Sequence, residues 1–194
     1  MRKQKTLEKF KELLIYIVKN FNDNETLTET KLWKLLYFCE ADFFEKNKKT
    51  ITGVDYYKNI YGATPDKRVI DKVLPKIKDY VKVDKVKKPS GKIITLYKPH
   101  KDYHYKFLSA DEIMEIQKTC EKYYRLPVSS VTVLAHKDPP YLGAKMKEKI
   151  DFSFVNYRED KDVEEIDSKD KSSYKGTISD EAGQRLLAYV GRNS

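Results

Sequence analysis

The sequence has few of the residues on which disulfide frameworks, phosphate-binding loops and membrane spans depend. Its 194 residues include two cysteines, Cys39 and Cys120, and both fall in predicted apolar helices, as expected of buried thiols in a reducing cytosol. The seven glycines are spread so that no two share a short loop, which argues against a phosphate-binding glycine motif. No run of 18 apolar residues occurs, and no apolar stretch follows the basic N-terminus. We therefore expect neither a membrane span nor a signal peptide.

Arginine is also scarce, although the chain is basic. There are 39 basic and 30 acidic residues, a net charge of +9, yet only six of the basic residues are arginine. Residues 67–106 carry thirteen basic and four acidic side chains, a surplus equal to that of the whole chain. Because lysine is a point charge whereas the arginine fork reads bases and phosphates, this composition favours diffuse attraction over sequence-specific DNA recognition. A nucleic-acid-binding regulator that uses residues 67–106 is kept as the alternative function.

Apolar residues at helical spacing predict the first part of the fold. Residues 7–21 form an amphipathic helix. A capping-box pattern at residues 26–29 starts a second helix, which is apolar on two sides and is therefore predicted to be the central, buried one. A third helix is predicted to have Thr64 as its cap and Pro65 as its first residue. Pro75 is expected to end or kink that helix.

One hairpin and two more helices are predicted downstream. Two β-branched runs at 80–86 and 93–97 flank a lysine-rich turn and form a hairpin. Ser109 begins a capping box that opens a fourth helix, residues 129–136 form a short fifth helix, and residues 150–154 alternate as a last strand. The predicted fold is mainly α (α+β), a compact helical domain with a small antiparallel hairpin.

Composition divides the chain into three parts. Residues 1–157 are predicted to form the folded domain. Residues 158–176 are charged and nearly without apolar side chains, which is typical of a flexible linker. Residues 177–194 are predicted to form a C-terminal amphipathic helix. Its apolar residues enter a groove on a partner, fold back onto the domain or pack in a homodimer: Leu186, Leu187 and Val190.

The sequence shows no catalytic or metal-binding constellation. His100 and His104 are four residues apart, but they lie in a predicted loop, and the chain has neither a CxxC pair nor an HExxH motif. Cys120 on an apolar helix face is expected to be inert packing rather than a nucleophile. We therefore predict a protein that is not an enzyme and has no cofactor and no metal, and we keep an enzyme of unrecognised type as a third hypothesis.

Two short stretches are more informative. Residues 61–65 join a tyrosine-rich connection to a helix start, and Gly62 is expected to adopt a backbone conformation that other residues avoid, either in a binding turn or simply in a tight one. Residues 135–141 place His136 at a helix end, either as a ligand or as a core histidine that satisfies carbonyl groups of its own helix. Tyrosines expected to be exposed are candidates for partner contacts: Tyr56, Tyr57, Tyr103 and Tyr105.

Four motifs occur in an order that resembles one family. They are residues 31–38, which read KLWKLLYF and include Trp33, Leu35, Leu36 and Tyr37, then Tyr61-Gly62, a Leu-Ser helix start at Ser109, and His136 followed by Pro140-Tyr141. Over roughly residues 5–157 the chain resembles the Panacea domain, the SocA-like antitoxin family also described as phage-associated proteins. Ala63 stands where the family has proline, and Tyr141 where it has tryptophan.

The resemblance implies a cytoplasmic antitoxin that binds and neutralises a protein toxin encoded beside it. Direct blocking and delivery of the toxin to a protease are both open, with a protease or chaperone as a further partner. No membrane partner is expected. Three surfaces are candidates for partner binding: the tyrosine-rich connection with Tyr56, Tyr57 and Tyr61, the lysine-rich hairpin with Lys85, Lys87, Lys88 and Lys92, and the tethered C-terminal helix.

Overall fold

Helices make up most of the molecule, and two short hairpins lie between them. The computed structural model describes residues 2–22 and 27–158. In chain order the elements are α1 (Arg2–Asn20), α2 (Glu29–Asn47), β1 (Tyr56–Asn59), β2 (Gly62–Pro65), α3 (Lys67–Ile77), β3 (Val81–Lys87), β4 (Ile93–Pro99), α4 (Ala110–Tyr124), α5 (Val128–Lys137), α6 (Pro139–Gly143) and a 3₁₀ helix (Phe152–Tyr157). The fold is mixed α+β and mainly helical, as predicted.

Helix α2 is the central element, as its two-sided apolar pattern predicts. It packs against α1, α4 and α5, and also against the 3₁₀ helix and strand β2. Leu35 and Leu36, on different sides of the helix, are both completely buried. The helix begins at Thr28, whose side chain accepts a hydrogen bond from the N–H of Lys31. The predicted capping box at residues 26–29 is therefore wrong: the helix is capped by Thr28, two residues after the first residue of that pattern, and the Glu29 carboxylate accepts a hydrogen bond from the Tyr97 hydroxyl.

The predicted cap at Ser109 is present in full. Its side chain accepts the N–H of Glu112, and the Glu112 carboxylate accepts the N–H of Ser109. The loop before it is held by Glu12 of α1, whose buried carboxylate accepts the N–H groups of Phe107 and Leu108 at 2.8 and 2.9 Å. Two N–H groups of the cap and two of the preceding loop are thereby satisfied, and the start of the helix is fixed against α1.

The predicted tyrosine-rich connection is a hairpin, and the predicted start of α3 is wrong. Strands β1 and β2 pair antiparallel, and Thr64 and Pro65 belong to β2. Asp66 caps α3, with its side chain accepting the N–H of Arg68 at 2.8 Å. Pro75 lies inside α3 without ending it at once. It removes one backbone hydrogen bond in the last turn, where the helix is about to end in any case.

The predicted strand at 150–154 is also wrong. Ile150 donates its N–H to the carbonyl of Tyr56 at 2.7 Å, but the chain then turns into the 3₁₀ helix, with Asp151 capping it through the N–H of Ser153. The buried residues are Ile150, Phe152 and Val155. The last of these breaks the strict alternation on which the strand prediction rested.

The second hairpin and the cysteines agree with the sequence. Strands β3 and β4 pair antiparallel from Val81 opposite Pro99 to Lys87 opposite Ile93. Cys39 and Cys120 are free and buried, with 3.7 Å between their sulfur atoms, so the prediction of buried thiols is confirmed. None of the helices in the described part of the chain combines the length and the apolar character that a membrane crossing needs.

Candidate partner-binding site

The turn at residues 60–61, which joins β1 to β2, is held by its backbone from two sides. Its register places Asn59 opposite Gly62, so that Ile60 and Tyr61 form the tip. The ammonium group of Lys34, on α2, donates to the carbonyl oxygen of Tyr61. The hydroxyl of Tyr141, on α6, donates to the carbonyl oxygen of Asn59 at 2.8 Å. Two separate elements of the core therefore fix the position of this turn.

Gly62 is required at this turn for both its conformation and its space. Its φ is +110°, a value that residues with a side chain rarely adopt. A Cβ atom there would lie 1.6 Å from Nζ of Lys34 and 3.0 Å from Nε2 of His136. The unusual backbone conformation predicted for Gly62 is therefore confirmed, and the close approach of Lys34 and His136 also leaves no room for a side chain.

Lys34 is a buried cation on the central helix. Its side chain is 1% exposed, and burial lowers its pKa to about 8. Desolvation disfavours the charged form of a lysine, and a carbonyl oxygen compensates for only part of the lost hydration. Burial of the Lys34 ammonium, which holds the 60–61 turn, therefore costs free energy of folding.

An aromatic stack covers the same side of the turn. The rings of His136 and Tyr141 are nearly parallel, with centroids 4.8 Å apart and an angle of 7° between their planes. The ammonium of Lys58 lies over the face of Tyr141, 4.6 Å from the ring centroid. Burial and the neighbouring Lys34 lower the pKa of His136, so its imidazole is neutral at pH 7. His136 thus packs against the turn and its neighbours as part of this cluster.

Helix α6 is fixed to α2 by a second set of contacts, which involves charged groups. The Tyr37 hydroxyl donates to Oδ2 of Asp138 at 2.6 Å. The Arg158 guanidinium donates hydrogen bonds to both oxygens of the same carboxylate, from Nε at 2.7 Å and from Nη2 at 2.9 Å. It also reaches Asp42 at 2.8 Å and Glu45 at 2.7 Å on α2. The predicted linker boundary at Arg158 is therefore too early, because this side chain is part of the folded domain.

Residues from three of the four motifs that carry the family resemblance thus meet at one place: Lys34 of the first, Gly62 of the second, and His136 and Tyr141 of the fourth. Residues 32–141 match the family described as "Antitoxin SocA-like, Panacea domain". The chain belongs to this family. No curated protein and no solved structure matches the chain.

Within this Panacea domain, the predicted partner-binding tyrosines lie in different surroundings. Tyr61 is 78% exposed, and its neighbour Ile60, which the sequence analysis did not single out, is 66% exposed. Tyr56 is completely buried, so its predicted exposure is wrong. It occupies an inward position of β1, where its ring packs against Tyr37 and Phe152.

The other predicted tyrosines are only partly exposed. Tyr57, Tyr103 and Tyr105 are intermediate in burial, and the last two pack against the core. The hydroxyl of Tyr103 donates to the buried Glu12 at 3.2 Å. The exposure expected of Tyr103 and Tyr105 is therefore wrong, because both rings pack against the core.

The remaining predicted residues separate into surface and structural positions. All four lysines of the β3–β4 hairpin are exposed: Lys85, Lys87, Lys88 and Lys92. The signature residues Leu35, Leu36, Pro140 and Tyr141 are buried, Trp33 is partly buried with its ring edge-on to Tyr97, and Ser109 caps α4. The residues predicted on the tethered helix, Leu186, Leu187 and Val190, lie outside the described residues.

Sequence reasoning missed Lys34, although a signal was present. A lysine stands in the middle of an otherwise apolar stripe on the helix predicted to be buried, and buried lysines are rare unless they have a specific partner.

Metal binding has no comparable support in the structure. In residues 2–22 and 27–158, no three His, Cys, Asp or Glu side chains gather closely enough to hold a metal ion.

Proposed function

We propose that this protein is an antitoxin that binds and neutralises a protein toxin through the 60–61 turn. Membership of the SocA-like antitoxin family supports the general role, including a role without catalysis. The observation that carries the site is the exposure of Ile60 and Tyr61 on a turn whose backbone is held by Lys34 and Tyr141.

The physical case rests on pre-organisation. Large apolar or aromatic side chains supply most of the binding energy at protein interfaces, and tyrosine is enriched among them. Association is costly when a loop must be ordered first. Because this turn is already fixed in the free protein, Ile60 and Tyr61 can enter a pocket on the toxin without that cost. Lys58 beside Tyr141 supplies a polar rim to the same surface.

The test is co-expression with the product of the adjacent gene, using variants of the tip. We expect Tyr61→Ala and Ile60→Ser each to weaken binding by about 30-fold or more, the effect of removing a hot-spot side chain. Growth rescue should fail in parallel. Met114→Ser on α4 is the matched control, since Met114 is 49% exposed and outside the proposed site.

Thermal unfolding must be unchanged in all three variants, because none of these side chains is buried. Full rescue by both tip variants would contradict the proposed site. Persistent toxicity with the unmodified chain, together with no complex, would contradict the antitoxin role itself. Measuring the amount of toxin in rescued cells separates blocking, where the toxin persists, from delivery to a protease, where it disappears.

A further inference from the structure

The β3–β4 hairpin has a hydrogen-bonding pattern that can be read from its two ends. At one end the N–H of His100 donates to the carbonyl of Tyr80, and at the other the N–H of Lys88 donates to the carbonyl of Lys92, both at 2.8 Å. In an antiparallel pair, residues that exchange hydrogen bonds alternate with residues that do not. The even-numbered residues of β3 therefore bond to β4, and the odd-numbered residues direct their N–H and C=O groups away from it.

Among the residues that the structure describes, nothing pairs with the outer edge of β3, whereas that of β4 is partly covered. On β4, the N–H of Tyr97 points outward and donates to the carbonyl of Leu27 at 2.9 Å. On β3, the outward N–H groups belong to Val83, Lys85 and Lys87, and within the described residues none of them donates to another backbone group. A row of unpaired backbone groups of this kind is a template for a further strand.

The side chains along this edge select the kind of strand that can bind. Val83 and Lys85 are both exposed, and the edge is flanked by further exposed lysines: Lys82, Lys87, Lys88 and Lys92. If β3 of a second copy paired here in antiparallel fashion about Lys85, that lysine would lie opposite its own copy, and like charges opposite each other destabilise a sheet. A segment with acidic side chains would instead find a complementary charge at each of the five lysines, while Asp84, the acidic residue of this strand, is paired with Lys98 at 3.5 Å.

We propose that residues 83–87 bind an extended acidic segment of a protein partner by strand addition to the outer edge of β3. The backbone groups supply the affinity and the lysines supply the selectivity, as in other strand-addition complexes. This proposal goes beyond the proposed function, since it concerns a second surface and does not require the partner to be the toxin. It also differs from nucleic-acid binding, which would use the lysine charges and leave the backbone N–H groups unpaired.

The experiment measures backbone protection directly. The full chain, labelled with ¹⁵N, is titrated with a synthetic heptapeptide of sequence Glu-Thr-Glu-Val-Glu-Thr-Glu, blocked at both ends. We expect hydrogen exchange at the amides of Val83, Lys85 and Lys87 to slow on binding, while exchange at Asp84 and Val86, already bonded to β4, changes little. The same peptide with alternate backbone nitrogens methylated keeps its charge but cannot pair, and it should not protect these amides.

Two variants of one residue separate hydrogen bonding from charge. Lys85→Gln removes the charge and keeps the N–H, whereas Lys85→Pro removes both. Since the Lys85 N–H takes no part in pairing with β4, proline is compatible with the hairpin at this edge position, and unchanged amide signals in β4 verify that. We expect Lys85→Pro to bind the peptide about tenfold more weakly than Lys85→Gln, the effect of losing one backbone hydrogen bond at the centre of the paired edge.

Four results would overturn the proposal. They are equal peptide binding by the two variants, no protection of the odd-numbered amides, protection of those amides already in the free chain at every dilution, and binding of a twelve-nucleotide single-stranded DNA in place of the peptide. The third result would mean that another segment of the chain occupies the edge. None of these results bears on the toxin-binding test, which concerns the 60–61 turn.

Discussion

Replacement of Gly62 by alanine is the most direct test of the contacts that fix the 60–61 turn to the core. The added Cβ would be placed 1.6 Å from Nζ of Lys34, at a φ of +110°. The lysine can move only by giving up its hydrogen bond to the Tyr61 carbonyl, and the backbone can relax only by changing the path of the turn. Both responses loosen the hold of α2 on the hairpin.

The expected cost has two parts that can be separated. A residue other than glycine in a sparsely populated backbone region costs about 1–3 kcal/mol. Loss of a hydrogen bond made by a charged group costs about 1.5–3 kcal/mol. We therefore expect Gly62→Ala to lower the free energy of unfolding by about 2.5–6 kcal/mol, taking these two terms together.

A double-mutant cycle identifies the source of the loss. Lys34→Ala removes the ammonium and its neighbouring carbon, so in that background Gly62→Ala should cost only the backbone term. The measured coupling is expected to be about 1.5–3 kcal/mol, read from urea unfolding curves with equal slopes. If Gly62→Ala costs the same amount with and without Lys34, the close approach of Lys34 is not what requires glycine here, and the reasoning fails.

Two further predictions concern buried charge. Arg158→Ala should destabilise the fold by about 3–5 kcal/mol, because it leaves the carboxylate of Asp138 buried without its cation; a loss below about 1 kcal/mol in thermal or urea unfolding would place Arg158 outside the folded domain after all. Burial raises the pKa of Glu40 to about 7, so the folded state favours the protonated carboxyl. The contribution of Glu40 is then present at pH 5 and lost as the pH rises through 7, and we expect the unmodified chain to lose up to about 3 kcal/mol relative to Glu40→Gln between pH 5 and pH 8. Parallel stability profiles for the two proteins would contradict this.

The helices could be predicted from the sequence because each one carries its own evidence. The apolar stripes of α1 and α2 and the capping box at Ser109 are local signals, and all three correspond to helices in the structure. The β1–β2 hairpin carries no such signal, because its strands are four residues long and its burial depends on contacts with distant segments. The N–H of Lys58, for example, donates to the carbonyl of Glu148 at 3.0 Å.

The site was partly predictable for the same reason. Gly62 and His136 stand out as residue types in unusual positions, and both do lie at the cluster. Arg158 could not be placed, since the residues that follow it in the sequence are mostly charged and its three carboxylate partners are 20 to 116 residues away. An ion-pair network that closes a fold joins residues by geometry alone, and no periodicity in the sequence records it.

The contacts that fix the 60–61 turn and those that fix α6 start from the same face of α2. Lys34 and Tyr37 are three residues apart, so they project from the same side of the helix, one toward the 60–61 turn and the other toward Asp138. On the turn itself, Lys34 and Tyr141 bind carbonyl oxygens, which every residue has. The side chains of Ile60 and Tyr61 are exposed and take no part in these backbone contacts. Substitution at these two positions can therefore change the exposed surface of the turn while the backbone contacts with Lys34 and Tyr141 remain. Gly62, which follows the turn, must be kept.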